Sequence, residues 1–471
     1  MFAVLFSSLT FAGKSLALSW EQVASVGLEN DPVNVTLVSL VEFNDWLYAS
    51  VGNDAVGVKI FRSSNGTAWT QVNIDGFGDA GCVDAVLYVF DGAIYAGTSG
   101  VTPSMAKLYK STNGTAWTQV GTDGLGDVGN IGIVGITEFN DHLYFGTSNV
   151  TTGSEVFRYD GVSGLVQVNT DGYDGTTTNA STWVLTVFDD VLYAGIGPAG
   201  APAQIWKTTN GTTWQEIMDD GFGDVNNIRI NALFVFDEQL YAGTLNGTTG
   251  TEIWRRTNDA NWEQMNSDGF GDANNSWTGD TVAIINGTIY LGTRNDTTGG
   301  ELFLSTDGSI WTKEGSDGFG DADNYAIYAI TFNGRVYLGF SSDDGAEVWR
   351  TGEMGTLSIA ETSLDEGTVG DAYTETLLTN NGTSPFSWSI SSGSLPDGVS
   401  LNAETGEISG TPTRAESFIF TVVVTDAGVP QQLSSGEYTI KINEKAEEIL
   451  PETGADLSNW PFNRFYQLIW P

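Results

Sequence analysis

Short apolar runs of four to six residues, separated by Gly, Asn and Asp, recur along most of the chain and predict β-strands joined by tight turns. One run repeats in a recognisable form: Leu47-Tyr-Ala-Ser50, Ile94-Tyr-Ala-Gly97, Leu143-Tyr-Phe-Gly146, Leu192-Tyr-Ala-Gly195, Leu240-Tyr-Ala-Gly243, Ile289-Tyr-Leu-Gly292 and Val336-Tyr-Leu-Gly339. The spacings are 47, 49, 49, 48, 49 and 47 residues. Two further runs keep step with it. One is Ile60-Phe-Arg62 and its equivalents as far as Val348-Trp-Arg350; the other is Trp69-Thr-Gln-Val72, with copies beginning at Trp117, Trp214, Trp262 and Trp311. With the apolar run that precedes each Leu-Tyr pair, every unit supplies four strands. No stripe of helical period appears. Four strands in about 48 residues, seven times over, predict an all-β fold, a seven-bladed β-propeller over residues 18–352.

The seventh unit stops at Arg350 without its fourth strand, and Trp20-Glu-Gln-Val23 supplies the missing pattern at the other end of the chain. The N-terminal strand is therefore expected to complete the last blade and remove an exposed sheet edge. Turn pairs such as Asn44-Asp45, Asp91-Gly92 and Asn333-Gly334 suit hairpins that need positive φ.

Periodicity ends near Gly352. Residues 356–443 carry Leu395-Pro-Asp-Gly398, Thr405-Gly-Glu-Ile-Ser-Gly-Thr-Pro412 and Phe420-Thr-Val-Val-Val-Thr-Asp426, and resemble the Ig-like (cadherin-like) modules of microbial surface proteins. That resemblance implies a β-sandwich with Trp388 as a core anchor.

Composition narrows the chemistry. With 18 Lys and Arg against 59 Asp and Glu the net charge is −41, which repels nucleic acid and anionic membranes and attracts cations. Cys82 is the single cysteine and His142 the single histidine, so disulfides and His-based metal sites are excluded and a Ser-His-Asp triad is disfavoured. Residues 1–17 read as a signal-peptide-like segment. Residues 444–471 read as a linker into Leu450-Pro451-Glu452-Thr453-Gly454, which resembles the LPxTG signal that sortases cleave. The 17 residues after it hold no ~20-residue apolar span. Together these features predict an extracellular, cell-surface or wall-anchored protein, with no multi-span membrane domain and sortase as a partner.

Candidate sites fall on loops. Between successive blades stand Asp75-Gly-Phe-Gly-Asp79, Asp123-Gly-Leu-Gly-Asp127, Asp220-Gly-Phe-Gly-Asp224, Asp268-Gly-Phe-Gly-Asp272 and Asp317-Gly-Phe-Gly-Asp321, often followed by Asn. Paired carboxylates with amides and Gly carbonyls suit Ca²⁺; equally, Asp residues can cap turns while the Phe fills the gap between blades. Loops such as Asn246-Gly-Thr-Thr-Gly250 are expected on the same face, and Glu155, Glu252, Glu301 and Glu347 open the third strands in a blade-stabilising role. N-x-[ST] sequons are frequent, from Asn34 to Asn381.

The turns Ser63-Ser-Asn-Gly-Thr-Ala-Trp69, Ser111–Trp117, Thr208–Trp214 and Ser305–Trp311 resemble the Asp-box (BNR) repeat of sialidases, most of them one residue short of its usual length. In that family the turn is structural. The resemblance makes a sialidase-like glycoside hydrolase one reading, with Arg229, Arg294 and Arg335 as the arginines that depart from the repeat; no accompanying Tyr, Glu and Asp set stands out, and no catalytic residue is assigned. The leading reading is a non-catalytic surface protein binding an extracellular glycan or protein ligand. A cation-bridged surface-layer or matrix component is the third.

Overall fold

The computed structural model describes residues 20–445, apart from 260, 280–281, 286, 352–356, 362, 381, 383–384 and 427–431. The signal-like segment 1–17 and the Leu450–Gly454 motif lie outside the described residues. The chain divides into two compact units between residues 355 and 356. Among the described residues, no helix is long and apolar enough to cross a membrane.

The first unit is a β-propeller-like domain. Its described strands form sheets of thirteen, eight, four and four strands, in which one antiparallel pairing pattern recurs in successive groups. The first pairs Thr36–Phe43 with Trp46–Gly52, that strand with Lys59–Ser63, and the third with Thr70–Gln71. The pattern returns in groups spanning 82–120, 132–167, 182–218, 229–264 and 277–314. In the last group Asn324–Phe332 pairs with Arg335–Ser342, which pairs with Glu347–Thr351. Its fourth strand is Trp20–Ala24, with Trp20 opposite Thr351 and Ala24 opposite Val348. The first hairpin of each group turns through residues of positive φ, such as Asn44 and Asp45 at 50° and 61°, which follow the right-handed twist of the flanking strands.

The apolar core lies between neighbouring groups. Side chains of the second and third strands are buried there because both faces of these strands are covered; Tyr48, Tyr95, Tyr144, Tyr193, Tyr241 and Tyr337 rank among the largest fully buried side chains. One cluster joins Leu37, Leu47 and Phe61 of the first group to Tyr328, Tyr337 and Val348 of the last. The same junction is hydrogen-bonded, Ser342 N–H to Val35 O at 2.9 Å and Ala346 N–H to Asn34 O at 2.7 Å. Tyr337 lies so close to Gly66 that a Cβ there would come within 2.1 Å of its hydroxyl, so the turn of the first group accepts only glycine beside the last.

Trp20 meets Phe319 edge-on at 5.4 Å, and its indole N–H donates to Glu314 at 3.3 Å. Replacing Trp20 by Ala removes this half-buried ring from the seam between the chain ends. It is expected to lower unfolding free energy by about 2 kcal/mol, read from a urea titration.

The second unit is an Ig-like β-sandwich. Ser417–Thr425 pairs with Leu433–Asn443 on one side and Ser387–Gly393 on the other, and Glu407–Gly410 pairs with Tyr373–Thr376 and Val399–Leu401. Period-two alternation along Ser417–Thr425 sends Phe418, Phe420, Val422 and Val424 inward against Trp388.

Candidate ligand-binding site

The Asp-Gly-Phe-Gly-Asp loops form a tight turn in which the third residue takes positive φ: 56° at Phe77, 59° at Leu125, 62° at Phe222, 57° at Phe270 and 58° at Phe319. Such a conformation costs a bulky residue roughly 1–3 kcal/mol. Ring packing offsets it. Phe77 stacks on Tyr109 at 4.0 Å and meets Trp117 edge-on; Phe222 does the same with Trp254 and Trp262, and Phe270 with Phe303 and Trp311. The loop is thus a plug between groups. It abuts the loop between second and third strands, where a Cβ on Gly57 would lie 2.5 Å from Gly76 Cα.

The aspartates of these loops are dispersed. Asp75, Asp123 and Asp268 accept from Gln71, Gln119 and Gln264, each four residues upstream, at 2.6 to 2.8 Å. Asp317 pairs with Lys313, and Asp220 is exposed. The closing aspartates bind backbone: Asp79, Asp127, Asp224, Asp272 and Asp321 each accept the N–H two residues on. Their second oxygens reach across to Lys107 from Asp79, and to Asn149, Asn246 and Asn295 from Asp127, Asp224 and Asp272. The Lys107 ammonium, helped by Ser104 and the Gly81 N–H, holds Asp79 down to about 2 against the cost of its partial burial. Among the described residues no three acidic, His or Cys side chains converge as a metal site would require.

Beneath the loops lies a polar network whose wiring the repeat conceals. Fully buried Asn227 donates to Gly221 O at 2.8 Å and to Glu252 at 2.7 Å, and accepts from Asn246 at 3.1 Å. Asn130, Asn275 and Asn324 make the matching bonds to Glu155, Glu301 and Glu347. Burial pushes Glu155 and Glu252 above the usual carboxylate range, against the lowering by their Asn donors. The third-strand glutamates therefore hold loops to strands. Several sequons belong to the same framework: Asn34, Asn149, Asn179, Asn246 and Asn295 are at most 2% exposed and have no room for a glycan.

The repeat fails at one tier, the start of the first strand, where it faces the end of the second. The residues there are Thr36, Asp84, Gly132, Arg229 and Trp277, opposite Gly52, Ser99, Ser148, Leu245 and Arg294. Asp84 and Trp277, with Trp183 and Asn231, belong to the wall of a single cavity of about 560 Å³ to which every strand group contributes. Apolar side chains such as Leu40, Val86, Ile133 and Val184 make up most of the remaining wall. The Arg229 guanidinium lies between Trp183 and Trp277, 3.8 and 4.6 Å from the ring centres. That of Arg294 lies over Trp277 and Tyr325 at 4.9 and 4.8 Å. Nε of each is anchored, Arg229 to Asn231 at 2.5 Å and Arg294 to Asp296 at 2.8 Å. Half-buried Asp84 crowds Gly52, and burial, with the Asp54 carboxylate nearby, pushes it up to about 6.

Residues 16–219 match the DUF6242 beta propeller domain. Residues 356–443 match the family described as "Putative Ig domain". No curated protein matches the chain. Among solved structures, two extracellular domains of proteins described as hybrid two component systems from Bacteroides thetaiotaomicron align with it. One is 13% identical, covering 91% of this chain and 58% of its own, with TM-score 0.49; the other is 9% identical, covering 91% and 60%, with TM-score 0.50. A protein described as an alpha-galactosidase from Bacteroides fragilis is 25% identical over 19% of this chain and 18% of its own, with TM-score 0.17. The chain thus spans between 18% and 60% of the length of these structures, and the likeness is one of fold alone.

Of the three arginines that depart from the repeat, the fold brings Arg229 and Arg294 to one ring, Trp277. Arg335 starts its strand, at the hairpin end, and donates to Thr351 O at 3.0 Å. Sequence reasoning passed over Trp183, Trp277, Tyr325 and Asp84. For Asp84 and Trp277 the signal was present as unlike residue types at one repeat position, but it had weight only once that position was seen to face a cavity.

Proposed function

We propose that the first unit is a seven-bladed, non-catalytic ligand-binding propeller that works outside the cell and takes a small molecule into its central cavity. The observation that carries this reading is the gathering of non-repeating residues, Asp84, Trp183, Arg229 and Trp277, on or against one cavity wall, while the positions that repeat serve packing and loop anchoring. A mostly apolar pocket of this volume with a few convergent polar groups is the usual form of a small-molecule site. Closure of the last blade by Trp20–Ala24 supports the blade count, and the short Asn-capped hairpins support an Asp-box-type repeat. The signal-like segment, the LPxTG-like motif and the Ig-like module support an extracellular, wall-anchored setting.

Val134, on the cavity wall, offers the test. In a melting screen of the full chain against sugars, amino acids and organic acids, at least one compound is expected to stabilise the wild type and not Val134→Trp. Equal shifts in both proteins would remove the cavity from the reading, and turnover of any glycoside in a hydrolase panel would revive the enzyme reading.

Calcium at the loop aspartates is a separate proposal, as is the cation-bridged surface array that would follow from it. Asp79, Asp127, Asp224 and Asp272 each have hydrogen-bond donors on both oxygens, which favours the turn-capping role. A chelator is therefore expected to leave the melting temperature unchanged, whereas a rise of about 5 °C or more in millimolar Ca²⁺ would establish the metal.

A further inference from the structure

The wall of the cavity is mostly apolar, and its one charge is unanswered. Among the described residues that line it, Asp84 is the only charged side chain; no lysine, arginine, histidine or glutamate shares the wall. The carboxylate is half-buried and has no hydrogen-bond or ion-pair partner among the described residues. The one charge that bears on it is the Asp54 carboxylate, of the same sign. The backbone makes room for it: a Cβ on Gly52 would come within 2.2 Å of Asp84 Oδ1, so glycine at that position leaves the space that the carboxylate occupies.

A carboxylate drawn away from water costs free energy unless donors or a cation answer it, and the raised proton affinity of Asp84 records that want. The rest of the wall narrows what the cation can be. Ca²⁺ takes about six to eight oxygens, whereas the wall offers a single carboxylate. A polyamine would set its further charges against aliphatic side chains such as Leu40, Val86, Ile133 and Val184. An anion or a zwitterion finds no cationic side chain on the wall to hold its carboxylate. Arg229, enclosed by the Trp183 and Trp277 rings, is not part of the wall, and its charge favours an apolar group over an ammonium on that side.

On the reading that the cavity binds a small molecule, we propose that its ligand is an organic amine with one ammonium and no anionic group, the ammonium on Asp84 and an aliphatic or aromatic body against the apolar wall. The ammonium brings the donors and the counter-charge that the chain does not supply to Asp84. A cavity of about 560 Å³ has room for a ring-bearing body. A neutral ligand of the same shape would leave Asp84 unpaired, and an anionic one would be repelled by it.

Calorimetry on the full chain at pH 7.5 tests this with 2-phenylethylamine, 2-phenylethanol, which is neutral, and 3-phenylpropionate, which is anionic. The amine is expected to bind about ten-fold or more tightly than either. Asp84→Asn, folded by circular dichroism, is expected to bring the amine within about two-fold of the alcohol. An amine drawn only by the net charge of −41 would bind this variant as well as the wild type, and that result overturns the proposal. Binding of the alcohol or the acid as tight as that of the amine overturns it too, as does no binding of the amine at millimolar concentration. Val134→Trp separates the two ideas. A probe that loses its binding in Val134→Trp but is indifferent to Asp84→Asn keeps the cavity reading and discards the amine; amine binding unchanged by Val134→Trp discards both.

Discussion

Replacing Asn227 by Ala is expected to destabilise the first unit by about 3–5 kcal/mol, read as a shift of the urea midpoint without change of slope. The substitution removes three hydrogen bonds at a fully buried site. It leaves the Gly221 carbonyl and the Asn246 amide each short of a partner, and Glu252, 4% exposed, with only the Trp254 indole N–H at 2.8 Å. A bond to a charged group contributes about 1.5–3 kcal/mol and each neutral bond about 1 kcal/mol, with a further penalty for groups left buried and unpaired. Its neighbour Asn226 is the control. That side chain bonds to the Asp224 carboxylate at the part-buried rim of the same loop, and Asn226→Ala is expected to cost no more than about 1 kcal/mol. If the two substitutions prove equal, the buried network does not hold the loops. Because Glu252 loses a donor, the added substitution Glu252→Gln is expected to cost less in the Asn227→Ala background than alone.

Asp84→Asn is expected to stabilise the protein by about 2–3 kcal/mol at pH 7 and to give nothing below pH 4. The folded protein raises this carboxyl from 3.8 to about 6. Below the lower value both folded and unfolded chains hold the proton, and the group makes no difference. Between the two values the folded chain binds a proton that the unfolded chain has released, so stability falls as pH rises through this window. Above about 6 the whole loss is present, about 1.4 kcal/mol for each of the two units. Other groups run the opposite way: Asp79, held down to about 2, contributes stability above its unfolded value that is lost as pH falls. The difference between wild type and variant cancels these and isolates Asp84. Melting curves at pH 4, 5, 6 and 7 give that difference directly, and a constant offset across the series would refute the assigned shift. A residue that lowers stability at neutral pH and sits on a cavity wall is placed as a binding group would be.

Much of the architecture was legible because it is written many times over. Any one Leu-Tyr-Ala-Gly run is a weak strand signal, but seven in register leave few alternatives, and the unpaired Trp20 segment located the closing strand. The loops were half legible. Their repetition marked the aspartates, yet carboxylate composition is the same for a cation site and for turn caps. Direction separates the two, and here Asp127 and Asp272 turn to N–H groups and to Asn149 and Asn295 rather than to one another. The repetition breaks at the first-strand tier, where residues 36, 84, 132, 229 and 277 face the same end of the second strand and share almost nothing else.

The sequence by itself determined the strand period, the order of the groups, the turns that need positive φ and the joining of the two ends, since these depend on local alternation and turn chemistry. Tertiary packing alone settles that Asn227 is buried and Asn226 is not, that Arg229 and Arg294 share one ring while Arg335 lies apart, and that Asp84 lines one cavity with Trp183 and Trp277. The physical reason is distance along the chain. Period-two alternation fixes which face of a strand a residue occupies, but tertiary packing fixes what that face meets, and residues 84 and 277 come to one cavity only after the intervening strands have taken their places.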